Sequence, residues 1–425
     1  MRAASFSGGL KLPVPESAEE IKPLEIMPPP EQITIPLKQH VGSSCDPLVK
    51  KGAQIKCGSL LGETHVATIH ASLSGKVAEV NKSFTHFSGE KVPAITIEAE
   101  GEDTPAAEYM QGKQAMGKIL FSGLVDGDRE SMPVLEKIQR AQRQRVQTLI
   151  VNGLEEFFLD GSKAALMQEN AEDIAQGVTI LKELTWAEEA YVAVYAEALP
   201  KLEALQEALP DSVHLRPLAG KHPQYRNQLL VSAIKNKEYP VESSPEDIGI
   251  CIMDVETAYA AARAVLHNEP YLDKCLTVAG SGVDSPRNLR VRLGTSFREV
   301  LSYVGIDTES LGKLILGGPL SGMAVHSLDL PVTKEVNQLF VQSRGNVRTP
   351  QPVTCIKCGF CVQVCPMRLM PFLLSGFSEG GHFDLAAGND IFSCIECGCC
   401  AYVCPSNIPM VQWIQLGKSV ISSQR

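Results

Sequence analysis

Two cysteine runs close this 425-residue sequence, Cys355-x2-Cys358-x2-Cys361-x3-Cys365-Pro366 and Cys394-x2-Cys397-x2-Cys400-x3-Cys404-Pro405. Three thiolates at this spacing wrap one corner of an iron–sulfur cubane, while the fourth, followed by a proline that ends the turn, reaches across to the other cluster. The expected ligand sets are therefore Cys355, Cys358, Cys361 and Cys404 for one [4Fe–4S] cluster, and Cys394, Cys397, Cys400 and Cys365 for the second. A zinc ribbon needs only paired C-x2-C motifs and leaves the third and fourth cysteines of each run without a role. Disulfides conflict with the close spacing and with an N-terminus, MRAASFSGGLKLP, that lacks the apolar stretch of a secretory signal. The apolar neighbours Ile356, Phe360, Val362, Ile395, Tyr402 and Val403 are expected to shield the sulfurs.

Clusters need a scaffold, and the rest of the chain is long enough for about three domains. A hydrophobic fraction of 44% lets each bury a core. No run approaches the roughly eighteen apolar residues of a membrane span, so membrane association is expected to come through a partner. A formal charge of −10 argues against nucleic acid and anionic lipid and points to protein partners, with the cytoplasm as the expected compartment. Outside the runs, Cys45, Cys57, Cys251 and Cys275 read as small buried hydrophobes, and Cys399 as a bystander. The histidines are dispersed, with no metal-binding pair on a helix, and Gly280-Ser281-Gly282 reads as a turn.

Five segments follow from the patterning. Residues 1–33, rich in Pro and Glu, form an N-terminal arm. Residues 34–102 are short alternating segments cut by Gly and Pro, the texture of a barrel-sandwich hybrid. Its Ser74-Gly75-Lys76 lacks the Met-Lys pair of a lipoyl carrier, which makes the unit structural. Residues 115–240 alternate strand and helix: an apolar run at Val146–Val151, helical spacing of Ile174, Val178, Leu181 and Leu184, a strand at Tyr191–Tyr195 and a helix at Leu199–Leu209. Residues 245–335 read as an α+β unit that opens with a strand at Ile248–Met253 and an Ala-rich helix at Thr257–Leu266. Residues 345–425 hold the cluster module, closed by an amphipathic segment at Met410–Ile421.

The phrases Phe6-Ser7-Gly8-Gly9, IPLKQHVG, PLVKKG, HASLSGKV, Leu149-Ile150-Val151-Asn152-Gly153, Gly317-Gly318-Pro319-Leu320-Ser321-Gly322 and Pro331-Val332-Thr333-Lys334, in order before the cysteine runs, resemble the RnfC family of the Rnf (Rsx) electron-transport complex over nearly the whole chain. The resemblance implies a multi-domain α/β and α+β protein: barrel-sandwich hybrid, an α/β domain like the flavin- and NADH-binding subunit of respiratory complex I, a soluble-ligand-binding (SLBB-like) β-grasp domain and a bis-[4Fe–4S] ferredoxin-type module. It implies a peripheral subunit on the cytoplasmic face of the inner membrane, bound to membrane and peripheral subunits of the complex, with electrons passing between ferredoxin and NAD.

The chain departs from that family at the flavin site. The family's glycine loop, G-L-G-G-A-x-F-P-T, reads Gly123-Leu124-Val125-Asp126-Gly127-Asp128-Arg129-Glu130-Ser131-Met132-Pro133. Its glycines are mostly gone, Gly123 being kept, and the carboxylates Asp126, Asp128 and Glu130 would repel a flavin or nucleotide phosphate unless Arg129 or a metal compensated; as residues alone they read as an acidic surface turn. Of N-G-A-E-C-E-P-Y-L-T-A-D only Glu155 keeps its position, with Phe157 and Lys163 replacing acids. Y-P-Q-G-G-E-K reads His222-Pro223-Gln224-Tyr225-Arg226-Asn227-Gln228, and N-V-G-T reads Asp254-Val255-Glu256-Thr257. Gly123 and Glu155 are thus the remnants of an FMN and NADH site. Two readings follow. One is an electron relay through two clusters, with a ferredoxin or cytochrome in place of NAD(H). The other is an FMN-dependent NADH-oxidising flavoprotein with a rebuilt pocket, an NADH:ferredoxin or cobalamin-reductase type of enzyme.

Overall fold

A computed structural model describes residues 3–12, 21–101, 103, 110–127, 131–156, 161–240 and 243–424. Asp128, Arg129, Glu130 and Phe157 lie outside the described residues.

The barrel sandwich stacks an antiparallel sheet ordered Gln32–Pro36, Lys91–Ala99, Gly75–Thr85, Gln54–Ile55 on a three-stranded sheet of Asp46–Pro47, Leu60–Glu63 and Thr68–His70. Ile33, Ile35, Leu61, Ile69, Ile95 and Ile97 close the core between them. Gly75 is the buried first residue of a paired strand, so Ser74-Gly75-Lys76 is not a modifiable hairpin tip.

Next comes a four-stranded sheet, parallel throughout, in the order Val213–Leu218, Glu189–Tyr195, Thr148–Asn152, Ile250–Asp254. Every residue of the last two strands is buried, as near-continuous apolar strands of a parallel sheet must be when helices cover both faces. The strand Ile250–Asp254 and helix Val255–His267 were expected to open the following unit at residue 245. Instead the strand pairs with Thr148–Asn152 and the helix packs on Ala171–Thr185. The linker with Pro240 is therefore a connection inside one sheet, and the sequence misleads because a Pro/Ser-rich crossover looks like a domain boundary. The expected helix at Leu199–Leu209 is a 3-10 turn, Leu199–Lys201, followed by a short helix, Glu203–Ala208.

A mixed six-stranded sheet follows, ordered Leu24–Ile26, Arg287–Arg292, Asp273–Ala279, Gln338–Ser343, Leu311–Leu316, Met323–Ala324. The helix Phe297–Tyr303 buries Phe297, Val300 and Leu301 against Leu276, Val278 and Leu339. Part of the N-terminal arm is thus an edge strand of this sheet. The sheet also runs past residue 335, because Gln338–Ser343 pairs with Asp273–Ala279 and Leu311–Leu316. The chain ends in a helical module whose long helix, Met410–Gln424, turns Met410, Ile414 and Ile421 inward, with Ile414 and Ile421 joining Leu374 of the helix Pro371–Glu379 in one apolar cluster.

Candidate functional site: a cysteine module against a topological switch point

The eight cysteines of the two runs surround two hollows, and each hollow draws on both runs. Cys355, Cys358, Cys361 and Cys404 line one, together with Phe372 and Met410. Cys394, Cys397, Cys400 and Cys365 line the other, together with Leu374 and Ile414. Four soft sulfur donors around an apolar-walled hollow are the donor set a [4Fe–4S] cubane takes. Among the described residues no three His, Cys, Asp or Glu side chains converge as they would on one metal ion.

The second run repeats the backbone of the first. Lys357 and Glu396, Gly359 and Gly398, and Arg368 and Asn407 all lie in the left-handed region, with φ of 57° and 54°, 81° and 80°, and 56° and 51°. That conformation costs a non-glycine residue about 1 kcal/mol. Here it turns peptide N–H groups toward sulfur: Lys357 donates to Cys355 Sγ and Glu396 to Cys394 Sγ, each at 3.4 Å, while Leu369 donates to Cys365 Sγ at 3.4 Å. Such bonds favour the thiolate and raise a cluster's potential. The expected shield of adjacent apolar side chains is only partly present. Ile356, Phe360 and Tyr402 are 66%, 49% and 56% exposed, because turns that aim the cysteines inward aim the residues beside them outward.

The two hollows differ in surroundings. The one built on the second run is held by three other parts of the chain. His222 Nε2 lies 2.7 Å from the Cys397 carbonyl oxygen, Gly9 N donates to Val364 O at 2.8 Å, and a Cβ on Gly398 would collide with the Leu320 carbonyl. The other hollow faces outward: Cys358 is exposed, and a Cβ on Gly359 would meet open space. Cys399 is fully buried and hydrogen-bonds the Cys397 sulfur, so it touches the site although it is out of phase with the run.

Next to the inner hollow is a cavity of about 300 Å³. It sits at the C-terminal ends of Thr148–Asn152 and Ile250–Asp254, where the chain reverses its direction of travel across the sheet, the switch point at which open α/β sheets bind ligands. Asn152, Glu155, Lys163, Arg226 and Asp254 line it together with Cys394, Glu396 and Lys418 of the cysteine module. Glu155 is among the lining residues and Gly123 is not. Gly123 ends the helix Ala115–Ser122 with φ 72°, packs against Thr68 and His70 of the barrel sandwich, and its carbonyl accepts a 2.6 Å bond from Lys334.

Most of the charge in and behind this cavity is matched by charge within the chain. Asp126 is 1% exposed, which corrects the surface reading at that position. It accepts from Lys137 Nζ at 2.5 Å, Asp254 N at 2.7 Å and Thr257 Oγ1 at 2.7 Å. Burial alone would raise the Asp126 pKa, but Lys137 and these donors hold it below the usual carboxylate value. Lys163 pairs with Asp254, and its N–H donates to Glu155 Oε1 at 2.5 Å. Burial would lower the Lys163 pKa, but Asp254 and Glu155 hold it raised. Behind the cavity Lys274 pairs with Glu256, which also accepts from Cys275 N. None of the sequence motifs points to Lys137 or Lys274. For Lys137 a signal exists, since it falls on the inward stripe of the helix Val134–Gln144 with Val134, Ile138 and Ala141.

These residues do not fit a flavin mononucleotide. A flavin phosphate needs free amides at a helix N-terminus. At Val255–His267 the leading donors are taken by Asp126 and by the Asp254 side chain; at Ser162–Glu169 they are taken by Thr277 and Glu155. Carboxylates of the chain occupy the places an anion would fill.

Comparison with known proteins agrees with the domain order. Family models match for the RnfC barrel sandwich hybrid domain at residues 4–102, the Nuo51 FMN-binding domain at 119–263 and the 4Fe-4S dicluster domain at 354–408. The C component of the ion-translocating oxidoreductase complex of Rhodobacter capsulatus is 32% identical, covering 100% of this chain and 85% of that protein. Its counterpart in the Na(+)-translocating ferredoxin:NAD(+) oxidoreductase complex of Acetobacterium woodii is 30% identical, covering 100% and 99%. The counterpart in the proton-translocating ferredoxin:NAD(+) oxidoreductase complex of Clostridium ljungdahlii is 30% identical over 87% and 84%. With its whole length matched and its domains in the same order, this chain belongs to the RnfC family of Rnf-type ion-translocating oxidoreductase complexes.

Proposed function

We propose that this chain is a peripheral relay of an Rnf-type complex, passing single electrons between a docked carrier and the complex's other subunits without oxidising NADH itself. The observation that carries the reading is the contrast within one site: eight cysteines intact around two hollows, beside a switch-point cavity whose helix N-termini are capped by Asp126 and Glu155. The ligand sets that go with it are Cys355, Cys358, Cys361 and Cys404, and Cys394, Cys397, Cys400 and Cys365, the crossed pairing that the lining of the hollows supports. A cubane bound in each would take up and return one electron. The protein's part is to aim N–H groups at the sulfurs and to keep one site exposed and the other enclosed. A hydride donor delivers two electrons together and needs a flavin to divide them.

The exposed side chain of Ile356, which lines the outer hollow, and those of Phe360 and Tyr402, close in sequence to its Cys361 and Cys404, suit the apolar contact of a one-electron carrier, a ferredoxin or a cytochrome. No described helix is long and apolar enough to cross a membrane, which suits attachment at the cytoplasmic face through the complex's membrane subunits. The second reading, an FMN-dependent NADH oxidase, draws on the match to an FMN-binding domain.

Anaerobic purification with iron, sulfide and flavin quantified, followed by mixing with NADH and with reduced ferredoxin, separates the two. The relay predicts roughly eight irons per chain, no flavin, and bleaching by ferredoxin alone. Stoichiometric FMN with rapid bleaching by NADH would sink it.

A further inference from the structure

Among the described residues, Arg226 is the one unmatched cation around the switch-point cavity. It is 8% exposed, and neither its Nε nor its Nη2 has a hydrogen-bond partner among them. The guanidinium lies over Tyr225, 5.1 Å from the ring centroid, a contact that stabilises a cation only modestly. The carboxylates nearby are committed elsewhere. Glu156 accepts from Tyr225 Oη and Ser321 Oγ, Asp254 pairs with Lys163, and Glu396 pairs with Lys418. Burying a charge without a counter-charge is costly, and the other two cations lining this cavity, Lys163 and Lys418, are paired with carboxylates, so the counter-charge of Arg226 must come in another form.

Cys394, Ile395 and Glu396 of the second cysteine run line the same cavity as Arg226. The segment that carries Arg226 is seated on that run, since His222, four residues before it, lies with Nε2 2.7 Å from the Cys397 carbonyl oxygen. Four thiolates around a [4Fe–4S] core form a net anion that gains one more negative charge on reduction. We infer that Arg226 is a positioning residue for electron transfer: its guanidinium is the built-in counter-charge of the inner cluster and stabilises that cluster's reduced state over its oxidised state. The step it biases is a one-electron reduction by a one-electron carrier, with no bond made or broken. An arginine is suited to this role because it stays charged at every working pH and tolerates burial better than lysine.

This inference rests on the cluster assignment above, and the experiment keeps the two apart. Potentiometric titration of the anaerobically reconstituted full chain, followed by electron paramagnetic resonance, is run on wild type, Arg226→Gln and Arg226→Lys. Cys397→Ser identifies the signal of the inner cluster by its loss, whichever way the fourth cysteines cross. Arg226→Gln is expected to shift the reduced-to-oxidised ratio of that cluster about tenfold toward oxidised at fixed ambient potential, a fall of about 59 mV for one electron. Arg226→Lys should recover part of the shift, and the outer cluster should not move. Unchanged potentials in Arg226→Gln at full iron content overturn the inference. So does an equal shift of both clusters. If Arg226→Gln loads iron poorly, Arg226→Lys and Arg226→Met are compared at matched iron content, and equal potentials in those two overturn it as well. A wild-type potential that changes with added inorganic phosphate, while Arg226→Gln does not respond, would assign the guanidinium to an anion in the cavity instead.

Discussion

Removing the Asp126 carboxylate tests whether the switch point is filled by the chain's own charge. Asp126 and Lys137 have side chains 1% and 5% exposed and meet at 2.5 Å. Asp126→Ala leaves Lys137 without this counter-charge, and it strips an acceptor from the Asp254 amide and the Thr257 hydroxyl. Breaking a buried pair by removing one member costs about 3–5 kcal/mol, which at about 1.4 kcal/mol per tenfold is roughly two to three and a half orders of magnitude in an opening equilibrium. A single melting temperature would blur this in a multi-domain chain. Hydrogen exchange of the strands Thr148–Asn152 and Ile250–Asp254 reads it locally. We expect Asp126→Ala to lose at least roughly a hundredfold in protection there. Asp126→Leu combined with Lys137→Met should cost less than Asp126→Ala alone, since replacing both members by apolar groups removes both charge-desolvation penalties and leaves only the Asp254 amide and the Thr257 hydroxyl short of an acceptor. A loss below about fivefold in Asp126→Ala, or costs in the double variant that simply add, would refute the buried-pair account.

Gly398→Ala and Gly359→Ala carry the same backbone penalty, φ being 80° and 81°, but only the first meets the Leu320 carbonyl. The first should therefore cost about 1–3 kcal/mol more and release iron to a chelator faster; equal release rates would place Leu320 away from the run. Cys365→Ala should damage the cluster otherwise held by Cys394, Cys397 and Cys400, and resonance spectra showing loss of only the other cluster would reject the crossed pairing. His70, held neutral by burial with its pKa lowered to about 3, binds a proton in the unfolded chain before it does so in the folded one. Stability should therefore fall as pH drops below about 6.5, by up to about 1.4 kcal/mol per pH unit, and His70→Phe should flatten that slope in urea titrations of the barrel-sandwich unit.

The parts of this fold that announce themselves in sequence are those set by local pattern. The apolar strands Thr148–Asn152 and Glu189–Tyr195 and the helical stripe through Ile174, Val178 and Leu181 all form where the pattern places them. What local pattern does not carry is sheet membership. Ile250–Asp254 reads equally well as the first strand of a new unit or the last of the old one, and pairing with Thr148–Asn152 across a long crossover decides it. Burial of charge is hidden for the same reason. Asp126 sits in a string of polar residues that looks solvated, and only the approach of Lys137 from the next helix and Thr257 from a distant one makes a buried carboxylate tolerable.

That also changes how the departures from the flavin-binding pattern relate to one another. Taken along the sequence, Asp126, Lys163, Asp254 and Glu256 are separate charge changes in separate motifs. In the structure they interlock: Asp126 bonds the Asp254 amide and Lys137, Lys163 pairs with Asp254 and bonds Glu155, and Glu256 pairs with Lys274. A charge can enter a buried site only with its counter-charge, so these positions form one rewired network. Restoring a single glycine at 126 would therefore not reopen a phosphate site: Glu155 would still cap the helix Ser162–Glu169, and Lys163 would still hold Asp254 across the cavity mouth. The scaffold that once could have presented a cofactor to the inner cysteines now presents them with fixed charge, and Arg226 is the member of that set left facing the cluster.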